Sequence, residues 1–81
     1  MQHLQLFSTE HCHLCETAEA VISPFIIPYQ LSVEVIDISN DIELFNRYGV
    51  KIPVLKSLKS GHELNWPFDS AELQSFLDQD G

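Results

Sequence analysis

The 81-residue sequence predicts one α/β domain with the element order β-α-β-α-β-β-α. A short strand-like segment leads directly into an amphipathic helix and then a second apolar strand, which is the pattern of a βαβ unit. Such a crossover is almost always right-handed, so the two strands are expected to be parallel. Further on, a glycine-containing turn joins two short strands, and a helix with its own N-cap closes the chain. The sequence contains no internal repeat or interdomain linker.

The first strand and helix are predicted from the change in apolar period. Residues 3–7 alternate as a strand does and end at Ser8-Thr9. A segment with helical spacing follows, and its apolar positions are Leu14, Ala18, Val21 and Ile22. Pro24 should end this helix at or before Ser23, because the proline ring clashes with the preceding turn.

Two apolar segments come next. Residues 25–31 are interrupted by Pro28, so we predict an apolar connector packed on the core, with an exposed partner surface as the alternative. Residues 33–38 form the second predicted strand. Its apolar residues fall on both faces, which predicts burial on both sides.

The second helix has a candidate capping box, with Asn40 as N-cap and Glu43 three residues later. The helix should stop at Gly49. Its apolar residues recur every three positions and are expected to form its buried face; they are Ile42, Phe45 and Tyr48.

The remaining elements are a hairpin and a helix. Residues 54–58 and 62–64 are predicted as strands joined by a turn at Lys59-Ser60-Gly61. A second capping box, Asp69-Ser70-Ala71-Glu72, opens the last helix. That helix carries Leu73, Phe76 and Leu77 on one face.

Composition and charge exclude several classes of protein. Twelve acidic residues against four basic ones give a formal charge of −8, which argues against nucleic-acid or anionic-membrane binding. A basic protein partner is one interpretation of this charge, and simple solubility is the other. The sequence lacks the basic start of a signal peptide and a long apolar run, so we expect a soluble, cytoplasmic protein. A monomer is expected.

Both cysteines lie in one motif, Cys12-His13-Leu14-Cys15, with His11 before it. One helical turn rises about 5.4 Å, which brings two such Cα atoms within disulfide range. A ring this small stabilises a fold by only about 2 kcal/mol, so the pair is better suited to opening and closing. In a reducing cytosol, such a pair indicates a redox or metal-binding role.

The position of the motif assigns a role to each thiol. Cys12 at the helix start is the candidate nucleophile, because free backbone N–H groups and the helix dipole favour a thiolate. Cys15, one turn further on, is the candidate resolving thiol and should be less exposed. If protonated, His11 and His13 would help to lower the pKa of Cys12 below its free value of about 8.5; a merely solvated loop position is the alternative for each histidine.

Three motifs in this order carry a resemblance to a known family. They are Cys12-His13-Leu14-Cys15, Ile52-Pro53-Val54-Leu55 and Trp66-Pro67-Phe68-Asp69. Together with the element order, they resemble the glutaredoxins of the thioredoxin superfamily, and more narrowly a group of small bacterial glutaredoxin-like proteins. The resemblance covers nearly the whole chain.

The resemblance implies a thioredoxin/glutaredoxin-like fold and a thiol–disulfide oxidoreductase. It implies a four-stranded mixed sheet of order 2-1-3-4, helices on both faces and a cis peptide before Pro53. It also implies that the open amide and carbonyl of Ile52 pair with a substrate backbone. Pro24, Pro28 and Pro67 are expected to follow trans peptide bonds.

The sequence departs from the family pattern at positions that bear on the substrate. Thr9 stands where glutaredoxins usually have a lysine, and the usual glycine pair before the last helix is replaced by Asn65-Trp66-Pro67. Asp69 is the one residue there that matches a glutathione-binding position, and a plain N-cap is its alternative role. Glutathione is therefore a candidate reductant or substrate, beside a disulfide-containing protein.

Two other functions stay open at this stage. A metal or iron–sulfur site could form through Cys12, although the sequence has no second ligand pair at zinc spacing. A binding module that has kept the fold without the activity is the third hypothesis, and the intact cysteine pair argues against it. No separate cofactor is predicted.

Overall fold

The computed structural model describes residues 2–10 and 12–80, with the side chain of residue 80 left out. Within these residues, the chain forms strands β1 (Gln2–Ser8), β2 (Leu31–Asp37), β3 (Val54–Ser57) and β4 (Glu63–Asn65). The helices are α1 (His13–Ile22), α2 (Ile42–Tyr48) and α3 (Ser70–Asp80). Short 3₁₀ turns follow α1 at Ser23–Phe25 and β2 at Ile38–Asn40. The predicted element order is confirmed.

The four strands form one mixed sheet in the order β2-β1-β3-β4. β1 and β2 are parallel, whereas β3 is antiparallel to both β1 and β4. The predicted parallel βαβ unit and the hairpin are therefore both present. The sheet order is also the one that the resemblance implies.

The core lies on both faces of this sheet. Adjacent strand residues point to opposite sides, and Leu6 and Phe7 of β1 belong to different apolar clusters. The first cluster is formed with α1 and α3, whose buried members are Ala18, Ile22, Leu73, Phe76 and Leu77. The second is formed with α2 through Tyr48. Helices therefore cover both faces, and the predicted inner face of α3 is confirmed.

Strand β2 is less buried than predicted. It pairs only with β1, so it is an edge strand, and the side chain of Val35 is half exposed. Val33 and Ile36 are only partly buried, whereas Leu31 at the start and Ile38 just after the strand are buried. The prediction of burial on both faces was wrong because an edge position leaves part of each face uncovered.

The predicted connector of residues 25–31 is packed on the core through some of its residues only. Phe25 and Tyr29 lie against the first cluster, and their rings are 5.7 Å apart. Ile26 and Ile27 point to solvent. The expectation of an apolar connector on the core thus holds for two aromatic side chains and fails for the isoleucines between them.

Helix α2 differs from the sequence prediction in its cap and in its buried face. Asp41 is the N-cap, and its Oδ1 accepts from the backbone N–H groups of Glu43 and Leu44 at 3.0 and 3.1 Å. Asn40, the predicted cap, belongs to the preceding 3₁₀ turn. Leu44 and Tyr48 face the core, whereas Ile42 and Phe45 face solvent. Residues three apart drift by about 60° per step, so the predicted set could not stay on one face.

Two peptide bonds before proline are cis. Ile52-Pro53 is cis, as the resemblance implies. Trp66-Pro67 is also cis, which corrects the expectation that Pro67 follows a trans bond. No described helix is long and apolar enough to cross a membrane.

Candidate redox site

The candidate site lies at one edge of the sheet, which we call the site edge. Strand register places Ser8 of β1 beside Asp37 of β2, and Phe7 beside Val54 of β3. The residues that follow β1 and those that precede β3 therefore meet at this edge. The first group holds Cys12 and the second holds Ile52 and Pro53, so the topology brings together two segments about forty residues apart.

Cys12 and Cys15 are joined by a disulfide at the start of α1. Their Cα atoms lie 5.2 Å apart, within the range that the helical spacing predicts. Cys12 is the N-cap and has extended backbone angles, whereas Cys15 is already helical. The backbone N–H of Cys15 donates to Sγ of Cys12 at 3.1 Å. The first sulfur therefore receives one of the N–H groups that a helix leaves unpaired in its first turn.

The two sulfur-bearing residues differ in exposure. Cys12 is partly exposed, while Cys15 is only 3% exposed and packs in the interior. A partner disulfide approaching from solvent would meet Cys12 first. This asymmetry follows from their positions, because the N-cap lies at the edge of the fold and the next turn lies under it.

His13 is a solvent-facing residue in the first turn of α1. Its side chain is almost fully exposed, and its Nδ1 lies 3.7 Å from Oε2 of Glu16 one turn further on. An ion pair with Glu16 forms when the imidazole is protonated. His11, the other predicted tuning residue, lies outside the described residues.

The loop before Pro53 is held by the end of α2. The carbonyl of Tyr48 accepts from the N–H groups of Lys51 and Ile52 at 2.7 and 3.1 Å. The Ile52 N–H is thus already engaged, which corrects the expectation that it is open to a substrate. Pro53 is buried, and its carbonyl accepts from the Trp66 N–H at 3.3 Å. A backbone hydrogen bond therefore joins the segment before β3 to the segment after β4 at the site edge.

Asp69 serves as the cap of α3. Its Oδ1 accepts from the backbone N–H of Glu72 at 2.8 Å, so the capping role that the sequence offered is present. Nearby, the rings of Trp66 and Phe68 meet edge to face at 5.1 Å. Phe68 is buried and Trp66 is half-buried against the first cluster. Both aromatic side chains are therefore part of the packing around Asp69.

Two apolar side chains near the site are exposed to solvent. Leu14, between the cysteines, is half exposed, and Val50 in the loop after α2 is 98% exposed. The helical period groups Leu14 with Ala18 among the apolar positions of the predicted helix. The buried part of α1 begins only at Cys15, so Leu14 lies at the margin of the packed face. No sequence signal marked Val50.

The site edge also carries negative charge. Asp37 at the end of β2 accepts from the hydroxyl and the N–H of Ser39 at 2.6 and 2.9 Å. Both bonds lower the pKa of Asp37 below its ordinary value, and the bond from the hydroxyl has the larger effect. Its carboxylate is therefore charged at neutral pH.

The metal hypothesis can be compared with the described part of the chain. There, no group of three or more His, Cys, Asp or Glu side chains is placed to hold a metal ion. The cysteine ligands that the metal hypothesis needs are engaged with each other in the disulfide.

The sheet order, the two helical layers and the cysteine pair at the start of α1 define a thioredoxin-fold domain of the glutaredoxin-like type. The model of the family described as "Glutaredoxin-like domain (DUF836)" matches residues 3–78. The chain belongs to this family. A search of curated proteins found no match.

Solved structures support the same assignment. Protein XcR50 from X. campestris is 32% identical, with a TM-score of 0.83 over 96% of this chain and 99% of that one. Protein Ne2328 from Nitrosomonas europaea is 28% identical, with a TM-score of 0.80 over 93% and 89% of the two chains. A mutant thioredoxin from Halobacterium salinarum is similar in fold, with 23% identity, a TM-score of 0.75 and coverage of 98% and 74%.

Proposed function

We propose that this protein is a thiol–disulfide oxidoreductase that uses Cys12 and Cys15 as its redox pair. The observation that carries the proposal is the unequal placement of the two cysteines. Cys12 is a partly exposed N-cap, and Cys15 is buried one turn further on, within disulfide range. A nucleophilic thiol needs access to its substrate, and a resolving thiol needs only access to the first sulfur.

In the proposed cycle, the Cys12 thiolate attacks one sulfur of a substrate disulfide. The substrate S–S bond breaks, its second sulfur leaves as a thiolate that takes up a proton, and a mixed disulfide forms on Cys12. Cys15 then loses its proton and attacks Sγ of Cys12. The substrate leaves as a second thiol, and two electrons have passed from the protein dithiol to the substrate. Two molecules of a thiol such as glutathione, or a dithiol of a thioredoxin system, would restore the reduced pair.

Residues around the pair have supporting roles in this proposal. The N–H of Cys15, which donates to Sγ of Cys12, would stabilise the thiolate of the reduced protein. Because the Ile52 N–H is engaged with Tyr48, the Ile52 carbonyl is the group left to accept from a substrate N–H. Pro53 and Asp69 would support the substrate-binding surface, Asp69 through the cap of α3. His11 and His13 would tune the site only when protonated.

A trapping experiment tests the assigned roles. In Cys15→Ser, a disulfide substrate should leave a stable mixed disulfide on Cys12, because nothing resolves it. Cys12→Ser is the matched control and should trap little, since Cys15 is buried. Mass spectrometry measures the fraction of each variant that carries the substrate as a mixed disulfide. Equal trapping by both variants would contradict the assignment of the nucleophile.

A second experiment tests the activity itself. Reduction of the Cys12–Cys15 disulfide is measured with glutathione and with a thioredoxin system side by side. We expect reduction by at least one of them. If neither reduces the protein, although both thiols react with an alkylating probe after chemical reduction, the oxidoreductase proposal is wrong.

A further inference from the structure

The outward face of α2 carries two large apolar side chains among its polar ones, more than the outward face of either other helix. Ile42 is 78% exposed and Phe45 is 52% exposed, and Val50 in the following loop is 98% exposed. Among the described residues of α1 and α3, Leu14 beside the cysteines is the one large apolar side chain that is exposed. We call Ile42, Phe45 and Val50 the α2 strip. Exposed apolar residues grouped in this way mark contact surfaces more often than single ones do.

The α2 strip lies on a stretch of chain that runs toward Ile52 at the site edge. Ile42 and Phe45 are three residues apart and therefore neighbours on the helix surface. The Gly49 N–H donates to the Phe45 carbonyl at 2.8 Å, and a methyl group on Gly49 would lie 3.7 Å from Cδ1 of Phe45. The chain thus passes close to the Phe45 ring before it reaches Val50. Two residues later it reaches Ile52 at the site edge.

The length of the α2 strip determines how long a polypeptide must be to contact all of it. A helix of seven residues is about 10 Å long. An extended polypeptide covers that distance with about three residues. A substrate bonded to Cys12 would therefore need a polypeptide segment that continues beyond its cysteine. A small disulfide would engage the cysteines without reaching Ile42.

The charge around the α2 strip indicates which partner could bind there, a second copy of this chain or a different polypeptide. Asp41 and Glu43, which flank Ile42, are exposed, and Asp37 lies at the same edge of the sheet. Arg47 on α2 and Lys51, which follows Val50, are the cations near the strip, and the whole chain carries a formal charge of −8. A second copy of this chain would bring the same charge, and three side chains fall far short of the roughly 800 Å² that each partner buries in a stable complex. A cationic polypeptide would be attracted to these carboxylates. The small contact area suits such a substrate, because it needs to bind only transiently.

We propose that the α2 strip is the docking surface for the polypeptide that carries the substrate disulfide. This inference rests on the proposed oxidoreductase function. The segment would place an apolar side chain against Phe45 and lysine or arginine side chains near Asp41 and Glu43. Docking would hold the disulfide near Cys12 and favour protein disulfides over small ones.

The test uses three probes with the full chain. The first is a peptide of about ten residues that contains lysines, a leucine and one cysteine in mixed disulfide with a chromophoric thiol. The second is the same peptide with glutamates in place of the lysines, and the third is oxidised glutathione. The variant is Ile42→Ser combined with Phe45→Ser. Ile27→Ser is the matched control, because Ile27 is 86% exposed and lies in the connector before β2.

The double variant should lose about tenfold in kcat/KM for the cationic peptide, the size of one good contact residue at an interface. Its reduction of oxidised glutathione should stay within about twofold of the wild type, as should every rate of Ile27→Ser. Glu43→Lys should slow the cationic peptide at low salt and less at high salt, whereas Glu19→Lys on α1 should not.

The outcomes separate the two proposals. Wild-type rates of the double variant with the cationic peptide would overturn the docking surface, and equal wild-type rates for both peptides would overturn the charge preference. If the wild-type protein reduces none of the three probes, the oxidoreductase proposal fails, and the docking proposal fails with it.

Discussion

Tyr48 and Tyr29 offer a matched pair of hydrogen bonds in different surroundings. The hydroxyl of Tyr48 donates to Oε2 of Glu63, and its ring stacks on Phe7 with centroids 4.3 Å apart. Tyr48 is buried in the second cluster. The hydroxyl of Tyr29 donates to Oδ1 of Asp78 at 3.0 Å on the surface. Replacing either residue with phenylalanine removes the hydroxyl and keeps the ring.

We expect Tyr48→Phe to cost about 1.5 kcal/mol of unfolding free energy. A hydrogen bond to a charged group contributes about 1.5–3 kcal/mol, and the lower end applies because Glu63 is exposed and can be solvated by water instead. For a domain of this size, the melting temperature should fall by about 6–12 °C. Tyr29→Phe should cost less than Tyr48→Phe, because the hydrogen bond of Tyr29 competes with water at the surface.

The same pair predicts a dependence on pH. Burial, followed by the hydrogen bond to Glu63, raises the pKa of Tyr48 above its ordinary value of about 10. The folded state therefore favours the neutral phenol. The contribution of the Tyr48 hydroxyl to the free energy of unfolding is fully present below pH 10. It is lost as the pH rises from there through the folded-state pKa. The stability difference between the wild type and Tyr48→Phe should shrink in that range.

Urea denaturation of the oxidised protein at pH 7 and above pH 10 measures both effects. Because the Tyr48 carbonyl holds Lys51 and Ile52 through backbone bonds, Tyr48→Phe leaves the loop to the site intact and isolates the hydroxyl. If Tyr48→Phe costs no more than Tyr29→Phe at pH 7, Tyr48 stabilises the fold through its ring alone. The reasoning about the buried hydrogen bond would then be wrong.

Two further substitutions test local features of the fold. Asp41→Ala should cost about 1 kcal/mol of stability, because it leaves the N–H groups of Glu43 and Leu44 without their cap, while Asn40→Ala should cost a few tenths. Chemical denaturation of the two variants distinguishes the observed cap from the predicted one. Gly61→Ala in the hairpin should cost about 1 kcal/mol through backbone strain, because Gly61 has a φ of 78° and nothing lies within 4 Å of the added methyl. A melting temperature equal to that of the wild type would refute the argument from φ.

Much of the fold and of the site could be predicted from local patterns. The position of the cysteines at the start of α1 follows from the end of β1 and the apolar period that begins after it. The cap at Asp69 and the buried Leu73, Phe76 and Leu77 follow in the same way. The family resemblance supplied the sheet order, because local patterns do not determine which strands are neighbours.

The site was predicted less completely than the fold. Sequence spacing identified Cys12 and Cys15, and the family resemblance placed Ile52-Pro53 opposite them. Neither revealed that Tyr48 engages the Ile52 N–H, because that bond depends on how the loop turns back on the end of α2. Nor did they reveal that His13 lies beside Glu16 and that Leu14 is exposed.

The sequence by itself determined the features that depend on a few neighbouring residues. These are the order of elements, the cysteine pair at a helix start, the closing helix and the acidic charge. The tertiary structure alone decided which residues of β2 and α2 are covered. β2 is half exposed because it is an edge strand, and Ile42 and Phe45 face solvent because a helix of seven residues buries only Leu44 and Tyr48 against the sheet. Burial depends on what packs against a residue, and that partner is distant in the sequence.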